Sequence, residues 1–279
     1  YKRQAWDRLG SHLHETQVMD SITRTLYWDQ NTRMPSGGSA WRGEQLALLA
    51  RQLHARQSSE HYAELIAEAR DEWRTRSNRG DPPEIVTGQA RNLDLLEQDL
   101  QRQQALDPDL VSALATAKSQ GYDLWQQARR ASDFALFAPA LRRMVELRQE
   151  QARQLAEPRS CWETLAQPFE PDLTLQRLQN LFAPLRRRLP ELLEQLKGSP
   201  RPSSLSWDLP ASTQQQLCEQ LLCDWGRDKG ITCVAASPHP FSITLGPRDF
   251  RITTRVVEGQ PLSCFLATAH EWGHSLYEQ

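Results

Sequence analysis

Two histidines and a glutamate form the run His270-Glu271-Trp272-Gly273-His274 near the end of this 279-residue chain. Helical residues four apart stack on one face, so both imidazoles can grip one Zn²⁺ while Glu271 points at the reacting water. That is the donor set of a zinc hydrolase, in which the metal polarises a carbonyl and the carboxylate moves a proton. Catalytic zinc takes three protein ligands plus water, and only Ser275 to Gln279 follow His274. Their one carboxylate, Glu278, lies about 6 Å further along the helix axis, whereas the metal belongs between the levels of His270 and His274. Glu278 is therefore expected to pack or to rim the site, with the third ligand beyond Gln279.

A second group of candidates lies just upstream. In the stretch from Asp249 to Arg255, strand alternation puts Asp249, Arg251, Thr253 and Arg255 on one face, and Phe250 and Ile252 on the other. Such a ladder of donors and charges can line a peptide-binding cleft, or it can be an open sheet face covered by salt bridges. His239, in His239-Pro240-Phe241, reads equally as a cleft residue or a strand-entry turn. For the histidine pair the competing reading is two hydrogen-bonded core side chains. Leu266, Ala267, His270, Gly273, His274 and Tyr277 share one broad helical face, which predicts that the histidines lie on the side that packs inward.

The elements that must position these residues are mostly helical. Segments at about 1–30, 39–57, 60–77, 84–105 and 108–131 carry helical periodicity between breakers such as Pro35-Ser36-Gly37-Gly38 and Gly80-Asp81-Pro82-Pro83. Phe137, Leu141, Met144, Val145, Ala152 and Leu155 form one apolar stripe. Leu175, Leu178, Phe182, Leu185, Leu189, Leu192 and Leu196 form another, preceded by the capping residue Thr174. Pro184 and Pro190 predict a kink or a break in that second helix. Residues 201–210 read as a Pro/Ser-rich connection and 211–229 as a further helix. Phe241–Leu245 and Phe250–Val257 form an antiparallel hairpin around the turn residues Gly246-Pro247-Arg248-Asp249, and helix resumes near Leu262. The expected fold is mainly α, a helical array with a small antiparallel hairpin beside the metal helix. Residues 1–200 form the helical N-terminal part, and 201–279 begin a catalytic region that is incomplete.

Composition narrows the partners. A formal charge of −2 with 24% charged residues argues against nucleic acid or an anionic membrane, and no run reaches the about 18 apolar residues of a spanning helix. Five cysteines without paired C-x-x-C spacing disfavour a disulfide framework and a structural zinc site. The first residues carry no export signal, so a cytoplasmic enzyme is expected. The chain starts at Tyr1 and stops after the metal motif, which is the expectation for a piece of a larger enzyme.

Taken together, His239-Pro240-Phe241, Asp249-x-Arg251-x-Thr253 and His270-Glu271-x-x-His274, in that order, resemble the carboxypeptidase Taq family of metallocarboxypeptidases. The front of the chain, Trp28-Asp29-Gln30-Asn31-Thr32-Arg33-Met34-Pro35-Ser36-Gly37-Gly38 with Arg42 and Gln45, is similar to that family's N-terminal segment, as is the stretch Ala131 to Pro139. The resemblance covers essentially the whole chain. It implies long helices flanking a deep groove, and removal of single residues from peptide C-termini by a homodimer. It also implies Zn²⁺, with Co²⁺ as an alternative ion, on His270, His274 and a glutamate about two dozen residues further on, with Glu271 as the catalytic base. Without that glutamate this chain is expected to be inactive. Two other readings stand beside this one: a non-catalytic helical interaction module, and a zinc oligopeptidase cutting internally.

Overall fold

A computed structural model describes residues 4–77, 83–155, 158–200 and 209–279. Helices dominate: α1 (Gln4–Thr32), α2 (Ser39–Gln57), α3 (Glu60–Ser77), α4 (Pro83–Gln104), α5 (Pro108–Ala131), α6 (Ala138–Leu155), α7 (Cys161–Ala166), α8 (Leu175–Lys197), α9 (Ala211–Asp224) and α10 (Pro261–Glu278). Their ends follow local chemistry. Asp107 caps α5 by accepting the Asp109 N–H at 2.7 Å, and Pro108 follows where a missing N–H costs no helical bond. Ser132 closes the same helix in the left-handed region, at φ 52°. Ser160 and Glu163 form a capping box at α7, and Thr174 caps α8 by accepting the Arg177 N–H at 3.1 Å.

One core joins α1, α3 and α4. Leu9, Ile66 and Leu93 are buried there, each contributing about 1.5–3 kcal/mol by leaving water. The second apolar stripe behaves differently. Despite Pro184 and Pro190, α8 runs unbroken from Leu175 to Lys197, and it buries none of its side chains. Each proline frees one carbonyl four residues earlier, on Asn180 and Arg186, and an open helix lets water serve both. Leu181 and Leu193 are 64% and 60% exposed. Leu185→Gln and Leu192→Gln in this chain should each change the unfolding free energy by less than about 0.5 kcal/mol in a urea titration. A loss of several times that size would mean that another surface covers the stripe.

After Pro200 the outcome differs from the expected hairpin in three ways. First, the sheet has three strands, β1 (Thr232–Ala236), β2 (Ser242–Gly246) and β3 (Asp249–Thr254), in the order β1-β3-β2. β2 and β3 pair antiparallel, as the turn residues predict, and β1 adds a parallel partner that places Thr232 opposite Phe250 and Ala236 opposite Thr254. β1 has no alternating pattern of its own; β3 supplies its hydrogen-bond register. Second, helix α9 stops at Asp224 and not at 229. Gly226 takes φ +78°, and Arg227 turns back to donate to Thr232 Oγ1 (2.9 Å) and Glu219 Oε2 (2.5 Å). Third, β3 ends at Thr254, short of Val257. Most of the predicted connection at 201–210 lies outside the described residues.

The sheet is covered by helices on both sides. On one side Ile252 of β3, Leu222 of α9 and Trp272 of α10 share a small core, with Val234 of β1 packed against it. On the other, Trp28 of α1 lies edge-on to Phe241 at 5.7 Å, and the Arg251 guanidinium stacks 5.5 Å from the Trp28 ring centre.

Candidate metal centre and cleft

Helix α10 uses the opposite face from the one its apolar residues suggest. Cys264, Thr268, Glu271, Trp272 and Ser275 are buried, whereas Leu266 is 63% and Tyr277 88% exposed, and both histidines are exposed. The prediction that the histidines lie on the inward-packing side is therefore corrected. Polar residues can face inward here because they find partners there: Thr268 Oγ1 donates to Cys264 O of its own helix at 2.9 Å and lies 2.8 Å from the Thr254 hydroxyl of β3.

His270 and His274 nevertheless converge. Their rings are perpendicular with centroids 4.7 Å apart, and the two Nε2 atoms are 3.2 Å apart. Metal–nitrogen bonds of about 2.0–2.1 Å at a tetrahedral angle put two ligating nitrogens about 3.3 Å apart, so the pair has the spacing of two ligands of one ion. Among the described residues no group of three His, Cys, Asp or Glu side chains converges to hold a metal. The residues present thus fit half of a zinc shell, and neither Glu271 nor Glu278 completes it.

Glu271 and His274 border a cavity of about 470 Å³ between α10 and β2, whose walls include Phe241, Ile243, Arg24, Tyr277 and Glu278. Arg24 Nε donates to Asp20 Oδ2 at 2.7 Å, and its Nη1 donates to Thr244 O at 3.2 Å, which ties α1 to β2. Arg24 carries no motif spacing, and it enters the site only because α1 folds back against β2, whereas Tyr277 comes from α10 itself, three residues past His274.

The upstream ladder is placed elsewhere. Asp249 and Arg251 pair with each other in a two-pronged bridge (2.8 and 2.7 Å), which keeps the guanidinium charged and aimed at Trp28. Thr253 is fully buried; its Oγ1 accepts the Phe241 N–H at 2.8 Å and the Ser237 hydroxyl at 2.7 Å. Arg255 donates to Pro238 O at 3.2 Å, and His239 Nδ1 lies 2.7 Å from Pro240 O. None of these five lines the cavity beside Glu271: Thr253, Arg255 and His239 fasten the loop that carries Phe241 into its wall, and the Asp249–Arg251 bridge meets Trp28, which lies edge-on to Phe241. Thr253→Val strands the Phe241 N–H, while the Ser237 hydroxyl keeps His239 O as an acceptor at 2.6 Å, and a loss of about 1–3 kcal/mol is expected in denaturant unfolding.

The front motif is an anchor of the same kind. Arg42 donates to Asp29 Oδ2 at 2.6 Å, to Gln45 Oε1 at 3.0 Å one turn along α2, and to Leu26 O. Gln30 and Ser119 exchange hydrogen bonds across α1 and α5. These contacts fix the α1 end that presents Trp28 to the sheet.

Comparison with known proteins agrees with this geometry. Residues 8–279 match the family described as Carboxypeptidase Taq (M32) metallopeptidase. The thermostable carboxypeptidase 1 of Thermus thermophilus is 32% identical over 289 residues, covering 99% of this chain and 55% of the relative. The crystal structure of BsuCP superposes with a TM-score of 0.89 at 25% identity, over 99% of this chain and 54% of that one. An M32 carboxypeptidase from Deinococcus radiodurans superposes with a TM-score of 0.79 at 30% identity, over 99% and 54%. The chain spans about half the length of the curated relatives it matches. No helix among the described residues is long and apolar enough to cross a membrane.

Proposed function

Because this chain belongs to the carboxypeptidase Taq (M32) metallopeptidase family, we propose that the whole protein removes the C-terminal residue from peptides, with His270 and His274 as metal ligands and Glu271 as the proton carrier. The observation that carries the reading is the 3.2 Å approach of the two Nε2 atoms beside a cavity bordered by Glu271. Zn²⁺ suits the imidazole donors, and Co²⁺ would accept the same pair. When bound, the ion supplies Lewis acidity and a more acidic water.

The chain's own residues do the rest. Glu271 is held on the packed side of α10, so its carboxylate reaches the cavity with little freedom to wander. There it takes the proton of the attacking water and returns it to the departing amine. β2 is an edge strand, and its residues Ser242 to Thr244 wall the cavity, so an extended peptide can lie along it beside the histidines. The Asp249–Arg251 bridge and Thr253 act through the position of Phe241 and are positioning residues in this scheme.

Product analysis tests the reading on the full-length protein. Release of free C-terminal amino acids from a peptide series is the expected result, and internal fragments would overturn it in favour of an oligopeptidase. For this chain alone, calorimetric titration with Zn²⁺ should show weak binding. Tight one-to-one binding that is independent of chain concentration and abolished by His270→Ala would mean that a third donor lies within these residues.

A further inference from the structure

A second cavity, of about 700 Å³, opens between α1, α2, α5 and α6, and the proposed reaction does not use it. Its walls are mostly carbon, with Tyr27, Trp125, Phe137, Leu141 and Met144 among them. Several donor-bearing side chains share these walls; Arg24, Gln30 and Ser119 are engaged with protein partners, whereas Lys118, Thr23 and Tyr122 have none that is a hydrogen-bond acceptor among the described residues. The hydroxyls of Thr23 and Tyr122 are shielded and have no hydrogen-bond partner among the described residues. An unmade bond of this kind costs about 1–3 kcal/mol, so a ligand that brings an acceptor against this wall and draws the hydroxyls out recovers it. Burial also pushes the Tyr122 phenol up to about 12, which keeps its proton in place at neutral pH.

The charges around the cavity favour the same kind of ligand. Lys118 stands open to the cavity with its Nζ 5.0 Å from the Tyr27 ring centre, and no carboxylate pairs with it among the described residues. The surrounding protein and the like charge of Arg148 lower its pKa, and an anion beside it would relieve both effects. The nearby carboxylates are already engaged. Asp20 is bridged to Arg24 at 2.7 Å, and Asp123 accepts from Ser39 and from Gln30.

We propose that this cavity binds a carboxylate-bearing ligand with an aromatic or branched apolar body, the carboxylate meeting Lys118 and Tyr122 and the body lying against Tyr27, Trp125 and Phe137. An apolar wall with a few convergent polar groups is the usual make-up of a small-molecule site. A carboxylate offers about four acceptor positions, enough for an ammonium and two hydroxyls. The source is either a free organic acid or an acidic side chain of a peptide that reaches from the neighbouring cleft, since Arg24 and Ile243 line both cavities.

Calorimetric titration of this chain with 3-phenylpropionate and with 3-phenylpropionamide, in the presence of EDTA, is the test. EDTA removes any ion from His270 and His274, so failure here is separable from failure of the peptidase reading. The acid should bind at least about 10-fold more tightly than the amide, the size expected of a charge-assisted hydrogen bond. Lys118→Met should erase that preference, and Lys118→Arg should keep it. A parallel titration with a capped phenylalanyl-glutamyl amide separates the sources: tighter binding of the free acid points to a small molecule, and tighter binding of the capped peptide points to a substrate side chain. Equal binding of acid and amide, failure of both carboxylates to bind, or an acid preference that survives in a folded Lys118→Met variant would overturn the proposal.

Discussion

Glu271→Gln in the full-length protein should lower peptide hydrolysis by about 10²–10⁴-fold, the range that a positioned general base contributes, while metal content stays unchanged. The amide keeps the shape and the buried position of the side chain but cannot take a proton. His270→Ala and His274→Ala should differ in kind, losing metal and activity together, because each removes one of two converging donors. Elemental analysis beside a rate measurement separates the two classes. Loss of metal from the Gln variant would move Glu271 from proton transfer to ligation.

The largest expected effect on stability comes from Trp272→Ala, at about 3–5 kcal/mol in chemical or thermal unfolding. Trp272 is 1% exposed and fills the space between Leu222 and Ile252, so its loss opens a void where α9, α10 and the sheet meet. Its indole N–H already lacks a partner, which leaves packing as its contribution. Trp272→Phe should recover part of the loss, because the void shrinks while the apolar contact remains. An alanine variant as stable as the parent would show that this junction is not what holds the metal helix.

The histidine pair was legible because four-residue spacing is a strictly local property of a helix. Which face of that helix packs was not, for a physical reason. Leu266, Ala267 and Tyr277 make the more apolar stripe, yet the buried stripe includes Thr268, Glu271 and Ser275. Thr254 and the Cys264 carbonyl satisfy Thr268, and no hydropathy pattern records a partner on another element. The same limit applies to β3. Alternation sorted Phe250 and Ile252 from Asp249, Arg251 and Thr253, but it could not show that α1 covers the polar face with Trp28. β1 went unseen because its strand character is borrowed from β3, and α8 was legible as a helix though not as one left uncovered. Capping and turn chemistry, at Thr174 and Gly246-Pro247, was readable and was realised locally.

The clasp between α1 and the sheet has a consequence for how the chain is made. Arg24 and Thr244 are separated by 220 positions, and Trp28 and Arg251 by a similar distance. At about 5–20 residues per second on a ribosome, the first helix waits roughly 10–40 s before its strand partners are synthesised. The core with α3 and α4 is available much earlier, so α1 can be seated by one side while its Trp28 end is still open to solvent. Closure of the cleft is then a late, long-range event, and loop-closure entropy makes such contacts slow. A destabilised sheet would prolong the interval in which an aromatic surface is open to other nascent chains, so substitutions there should show first as lost yield in cells, ahead of any change in the chemistry of the finished protein.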